Sequence, residues 1–440
     1  MMNYALRIFI AGLIALLSGC ATQVWIPDWK ETSHINIPRA GTASVLVRDK
    51  IYLIGGVDGK DFLNTTEYAQ IQKDGSLGPW QFGHDLNEAR GFTDAVVHGD
   101  FVYVVGGGNG PFGHHLLHSV ERAHIQADGT LGPWEKEKNE MVVARRCSKI
   151  IATDKAIYSF GGFGGVLLDS VEYAEIQADG SLGEWKLDPK VMTMQRYVNT
   201  VKKEGDTFFV IGGHDQSKGI GITDVEWSRP AADETLQTWQ ATSPMRQGRY
   251  ALSSASYGNY IYALGGISGA EYLDSIERTA VIKDGQLEPW QTVAHLDQPR
   301  ANFSTIDYSD ILYVLAGTNR EGYLSSVTYA NRNASGDIGY WGSREEAKAA
   351  KSRSIEREKK QSMLPNEGVV QEVLQTQGYT YARVLSKKDG DVWLAGPKIA
   401  DLKTGDHLGY SEGVSMPNFF SKELQRNFEL VIFVGQVQKK

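Results

Sequence analysis

Cysteine is almost missing: the 440 residues hold two, Cys20 and Cys147. With Cys20 assigned to a lipid below, Cys147 has no partner, so no intramolecular disulfide staples the fold in any compartment. A membrane-length apolar run is missing from the N-terminus, where Ile8–Leu17 is too short for a stable spanning helix. Positive charge is not in excess. A net charge of -8 removes any general attraction to nucleic acid or anionic lipid, and no nucleic-acid partner is expected. The one histidine cluster, His114, His115 and His118, has no neighbouring carboxylate or thiol in sequence, and its glycines oppose the helix that would align His114 with His118. It is a weak metal candidate, and no cofactor is expected.

The N-terminus reads as a processing signal. Arg7 precedes the apolar run, which ends Leu17-Ser18-Gly19-Cys20. This resembles the bacterial lipobox, in which the cysteine becomes the lipidated first residue. The resemblance implies a signal peptide over 1–19, a lipid on Cys20, and a tether over 20–28. Ala21 in place of Asp implies, under the enteric sorting rule, the periplasmic face of the outer membrane.

What the chain has in abundance is glycine, 48 residues, and much of it falls in a repeat. Ile51-Tyr52-Leu53-Ile54-Gly55-Gly56 is followed by Thr66-Glu67-Tyr68-Ala69, then Asp74-Gly75-Ser76-Leu77-Gly78-Pro79-Trp80, then Arg90. Gly pairs recur at Gly106-Gly107, Gly161-Gly162, Gly212-Gly213 and Gly265-Gly266, with Ala316-Gly317 in a sixth copy. Trp follows at Trp134, Trp185, Trp239, Trp290 and Trp341. Short strands and turn signals repeating at roughly 50 residues predict β-propeller blades of four strands each. Trp and Arg are ten or eleven residues apart in every copy but the last, where nothing follows Trp341. Trp29 to Arg39 has the same spacing, so residues 29–39 are expected to complete the last blade and shut the ring.

The order of apolar strand, Gly-Gly, Val-Glu-Tyr, Trp and Arg resembles the kelch repeat over 29–342. That implies a six-bladed propeller, a fold that hosts binding modules, sugar-processing enzymes and oxidases. The oxidases rely on a Cys–Tyr crosslink and copper, for which Cys147 has no recognisable setting. Beside Arg145 and Arg146 its thiol is either activated or, as a small strand residue, buried.

Arg39, Arg90, Arg145, Arg196, Arg249 and Arg300 fall on the turns entering the innermost strands. Six guanidinium groups around one mouth would select anions, or else each would stitch blade to blade through carbonyls and the repeated Glu. The expected function is a non-catalytic envelope module for an acidic peptide, protein or glycan. The alternative is a mutarotase or epimerase of an acidic sugar such as a sialic acid, with the arginines holding the carboxylate and a channel-facing Glu, from Glu67, Glu121, Glu172, Glu226 and Glu277, or a channel-facing His moving protons.

Residues 343–365 contain helix formers without an apolar stripe and read as a solvated helical linker. At about 1.5 Å per residue it would hold the last unit roughly 25 Å away. Residues 366–440 predict five or so short strands. Trp393-Leu394-Ala395-Gly396-Pro397 and Met416-Pro417-Asn418-Phe419-Phe420 resemble small extracytoplasmic OB-like barrels. The fold class is therefore all-β, a propeller and an OB-like barrel joined by a helix.

Overall fold

The structure, a computed structural model, describes residues 23–215, 221–362, 364, 366–376, 379–411, 413–421 and 423–440. The signal segment and Cys20 lie outside the described residues.

Six antiparallel sheets follow one another along the chain. Blade 1 comprises Ala43–Val47, Lys50–Ile54, Thr66–Gln70 and Gln81–Phe82, from the axis outward. Its second strand is apolar on both faces because both are covered. Ile51 and Leu53 pack with Tyr313 and Leu315 of blade 6, while Tyr52 and Ile54 pack with Val102 and Val104 of blade 2. A core of this kind fills each of the six seams, so no blade buries its faces alone. The chain is an all-β propeller of six blades.

The ring closes in blade 6, whose outer strand is shared between the two ends of the propeller. Lys30–Thr32 pairs antiparallel with Val327–Tyr329, and Ile338–Gly342 pairs with the remaining Asn331 and Arg332. Trp29 is 7% exposed and takes the seat that Trp80 has in blade 1, with its indole N–H on the His295 carbonyl as Trp80 uses that of Ser33. Trp341, the tryptophan expected from the repeat, is displaced outward and 56% exposed. It packs edge-on against Trp25 at 5.4 Å, where Val24–Ile26 adds a further strand beside it.

A side-chain tie also joins neighbouring blades. Tyr52, Tyr103, Tyr158, Tyr262 and Tyr313 each donate a hydroxyl hydrogen bond to a backbone carbonyl in the turn of the next blade, at Gly129, Gly180, Glu234, Gly336 and Gly75. The last runs from blade 6 to blade 1. Those turn residues have positive φ, including Glu234 at 64°, where the other copies use glycine.

Helix α1, Arg344–Ser362, opens with a capping box. Ser343 accepts from the Glu346 amide at 3.1 Å, and Glu346 accepts from the Ser343 amide at 2.6 Å. It is not a free spacer. Ala347 and Ala350 pack on Ile26 and Tyr340, and Arg353 reaches Asp28 at 2.8 Å. Beyond it, Asn366–Gln375, Thr380–Ser386 and Gly390–Gly396 form an antiparallel sheet, onto which Arg426–Val434 pairs in parallel. The same chain continues as Val437–Lys439, which pairs with His407–Tyr410, itself paired with Asn366–Gln375. The ladder thus returns to its starting strand. This unit is not held off at a helix length, because Gln436 donates to Glu271 of blade 5 at 2.6 Å.

Replacing Trp29 by Ala should cost about 3–5 kcal/mol in urea unfolding, as a buried aromatic in a packed seam. Trp341→Ala should change stability by less than about 0.5 kcal/mol.

Candidate functional site

The six repeat arginines are wholly buried, at 0% exposure. In each, one terminal nitrogen donates to the first carbonyl of the Gly-Gly pair: Gly55, Gly106, Gly161, Gly212 and Gly265, with Ala316 in blade 6. The other meets a carboxylate. Arg39 reaches Glu67 at 2.5 Å, Arg90 reaches Glu121 at 2.9 Å, Arg145 pairs with Glu172, Arg196 reaches Glu226 at 2.6 Å and Arg249 reaches Glu277 at 2.7 Å. The carboxylates also cap the backbone that leads into each arginine: Glu67 accepts from the Asn36 and Ile37 amides, Glu121 from those of Asn87 and Glu88. Burial draws the guanidinium pKa down and the paired carboxylate works against it. In blade 6 Thr328 replaces the Glu, and Asp297 supplies the charge, 3.0 Å from Arg300 and 3.1 Å from the Thr328 hydroxyl.

The expectation of an anion-selective ring is corrected by this geometry. No guanidinium of the six is left for a ligand, and Glu67, Glu121, Glu172, Glu226 and Glu277 are not free bases. Both residue types are consumed in holding connector, Gly-Gly turn and third strand together.

What the arginines position is a ring of backbone. Two residues after each comes Gly41, Phe92, Cys147, Val198, Ala251 or Asn302, all at φ between 48° and 58°. Each amide donates to the preceding carbonyl around the axis: Phe92 to Gly41, Cys147 to Phe92, Val198 to Cys147, Ala251 to Val198, Asn302 to Ala251 and Gly41 to Asn302. The distances are 2.7–3.3 Å and the circle is complete. Left-handed backbone costs a non-glycine residue about 1–2 kcal/mol, and a β-branched Val198 is an extreme case, so the ring bonds offset real strain. No side-chain pattern announces such a ring; only Gly41 and Asn302 hint at the backbone it needs.

Just outside the ring the blades differ. The residue after each arginine forms a bridge with the residue after each Gly-Gly, pairing Ala40 with Val57, Gly91 with Gly108, Arg146 with Phe163, Tyr197 with His214, Tyr250 with Ile267 and Ala301 with Thr318. Blades 3–5 therefore raise a wall of large side chains, and blades 6, 1 and 2 step down to small ones. Arg146 lies over the Phe163 ring at 5.4 Å, and Phe163, Tyr197, His214 and Tyr250 continue in contact, with ring centroids 4.9–6.5 Å apart. Burial pushes Tyr250 up to about 12 and holds His214 below the usual imidazole range.

The blade 2 loop overhangs this face. Gly108–Asn109 and His115–Leu116 pair across a 3-10 turn at Pro111–Gly113, not a helix, so His114 and His118 share no face. His115 bonds Asn109 at 2.6 Å and His118 lies 3.3 Å from Glu140. Among the described residues no group of three His, Cys, Asp or Glu is placed to hold a metal ion. Arg146 donates to the Phe112 and Gly113 carbonyls at 3.0 and 2.9 Å, fixing the turn. Cys147 sits in the amide ring rather than in a strand, and burial pushes its thiol up to about 12 despite Arg146 and Lys149.

Comparison with known proteins agrees with the repeat. The family model "Kelch motif" matches residues 38–68 and 248–278. Kelch-like protein terF of Aspergillus terreus is 21% identical over 70% of this chain and 69% of its own length. Beta-scruin of Limulus polyphemus is 26% identical over 64% of this chain and 31% of its own. Kelch-like protein 9 of Mus musculus is 32% identical over 22% of this chain, which matches 16% of that protein's length. Among solved structures, "Structure of YjhT" aligns at a TM-score of 0.56 with 13% identity, over 71% of this chain and 99% of that one, a likeness of fold alone.

Arg90→Ala should cost about 3–5 kcal/mol on thermal or urea unfolding, because Glu121 would be left buried and unpaired. With Cys20 replaced by Ser, iodoacetamide at neutral pH should label the half-buried Cys147 far more slowly in the native protein than in the unfolded one, because its raised thiol pKa leaves little thiolate. Native labelling as fast as that of the unfolded chain would contradict the raised pKa.

Proposed function

Taking a kelch-repeat propeller as the premise, we propose that this chain is a non-catalytic interaction module of the cell envelope. It is tethered through lipid on Cys20 and grips a partner with the loop face of the propeller. Phe112 carries the reading. It is 88% exposed, at φ 55° and ψ 18°, on a turn braced by two hydrogen bonds from Arg146. An aromatic ring held out to solvent on strained backbone, edge-on to His114 at 6.2 Å and otherwise open, fits an anchor that a partner buries. The half-buried wall of Phe163, Tyr197, His214 and Tyr250 stands on the same face.

The preference for an acidic partner drawn from the six arginines goes with their exposure. A protein or glycan partner held by aromatic and neutral polar groups suits the face better. The isomerase reading loses the glutamates assigned to it. We read the last unit as an OB-like barrel, on a ladder that returns to its first strand and includes one parallel pair, and as a second point of contact.

A photo-crosslinking residue at position 112 should trap an envelope protein or glycan, whereas one at Asp49, on the opposite turns, should not. Tyr250→Ala should weaken the trapping at 112 by about tenfold without loss of fold. Equal adducts at both positions, or none at 112, would overturn the docking face. Cys20→Ser should abolish palmitate incorporation and release the protein from membranes; retention would overturn the anchor.

A further inference from the structure

Blade 6 carries a two-stranded ribbon at its outer edge, Val24–Ile26 against Tyr340–Gly342, and the two faces of that ribbon are unlike. Side chains alternate along each strand, which puts Ile26 and Tyr340 on the face that Ala347 and Ala350 of α1 cover. Trp25, Gly339 and Trp341 fall on the other face. A Cβ at position 339 would lie 2.9 Å from the Trp25 ring, so the glycine lets that indole sit against the strand. The edge contact between the two indoles still leaves Trp341 56% exposed and Trp25 half-buried. Trp29 already fills the seat that the repeat provides, so packing inside the blade does not account for Trp341.

The place of this face along the chain supplies the second observation. Trp25 follows Cys20 by five residues, at most about 18 Å of extended chain. With lipid on Cys20, the ribbon stays within that distance of the headgroups.

We propose that Trp25 and Trp341 form a foot that rests among the headgroups of a phospholipid bilayer and turns the outer edge of blade 6 toward the membrane. The inference rests on the lipid anchor proposed above and adds the protein surface that meets the bilayer beside it. An indole suits that zone, because its apolar ring leaves water while its N–H keeps a polar partner. A lipid on Cys20 holds the chain at a membrane without choosing which side of the propeller faces it. A second contact makes that choice. Charge does not supply the contact, since the chain carries a net charge of -8 and anionic lipid offers it no attraction. Blade 3, opposite blade 6 in a ring of six, is left farthest from the bilayer.

The test couples the mature chain through the Cys20 thiol to a maleimide phospholipid in phosphatidylcholine vesicles whose lipids are brominated high on the acyl chains. Tryptophan emission should fall relative to unbrominated vesicles, and Trp25→Ala with Trp341→Ala should lose that fall entirely. Trp341→Ala alone, should Trp25→Ala disturb the ribbon, should lose most of it. Leu187→Trp in the double variant, an exposed position on the outer strand of blade 3, should not restore it. Salt at about 0.5 M should leave the quenching unchanged. Cys20→Ser, which should not couple, gives the background from unattached chain. No quenching, quenching undiminished in the alanine variants or restored by Leu187→Trp, loss in salt, or a dimer that Trp341→Ala dissociates in place of quenching would each overturn the proposal. Coupling supplies the tether whether or not a cell acylates Cys20. Quenching here without palmitate incorporation would sink the anchor alone, and palmitate incorporation without quenching would sink the foot alone.

Discussion

A guanidinium with no exposed surface, locked to a carboxylate and to the first carbonyl of the turn after the second strand, recurs once per blade, and the geometry of the loop face follows from it. The cost of burying two charges is recovered only when their remaining lone pairs and protons are also satisfied. Here the carboxylate takes two connector amides as well as the arginine, so incoming connector, Gly-Gly turn and third strand are fixed relative to one another. Blade 6 shows that the constraint is on charge rather than on residue identity. With Thr328 in the glutamate's place, Asp297 moves in from the connector and neutralises Arg300 from the other side.

The repeat announced most of the fold, and for a physical reason: strand period, turn glycines and the Trp-to-Arg spacing are local properties, visible wherever the chain is read. The repeated arginine was equally visible, but its environment was not. Whether a guanidinium faces a channel or a carboxylate depends on the depth at which its turn sits, and one-dimensional spacing does not encode depth. Trp341 misled in a related way. It satisfies the motif locally, yet the seat it should fill goes to Trp29, delivered from the far end of the propeller. The amide ring was illegible because its bonds join backbone to backbone, and Phe92, Cys147, Val198 and Ala251 have no side-chain preference for the conformation they adopt. The tyrosine ties could have been found, as a tyrosine at the same register in five second strands with phenylalanine at Phe209 in the other.

The loop face separates what the repeat conserves within this chain from what it leaves free. Arginine, carboxylate and turn glycine set a common frame, and just beside it the residues run from Ala40, Gly91 and Ala301 to Arg146, Tyr197 and Tyr250. A ring of equivalent blades thereby acquires a high side and a low side without any change in backbone plan. Such asymmetry on a rigid platform is how a symmetric fold recognises an object that is not symmetric.

The outer strand of blade 6 has a mechanical consequence. Tension on the segment before Val24 would not reach the propeller through one strand; it would be divided between Val24–Ile26, clasped by Tyr340–Gly342 and the first turns of α1, and Lys30–Thr32, seated on the third strand. The Arg353–Asp28 pair straddles the gap between those two grips. A tug on the N-terminal end would thus be shared by the helix leading to the C-terminal unit before the ring itself began to open.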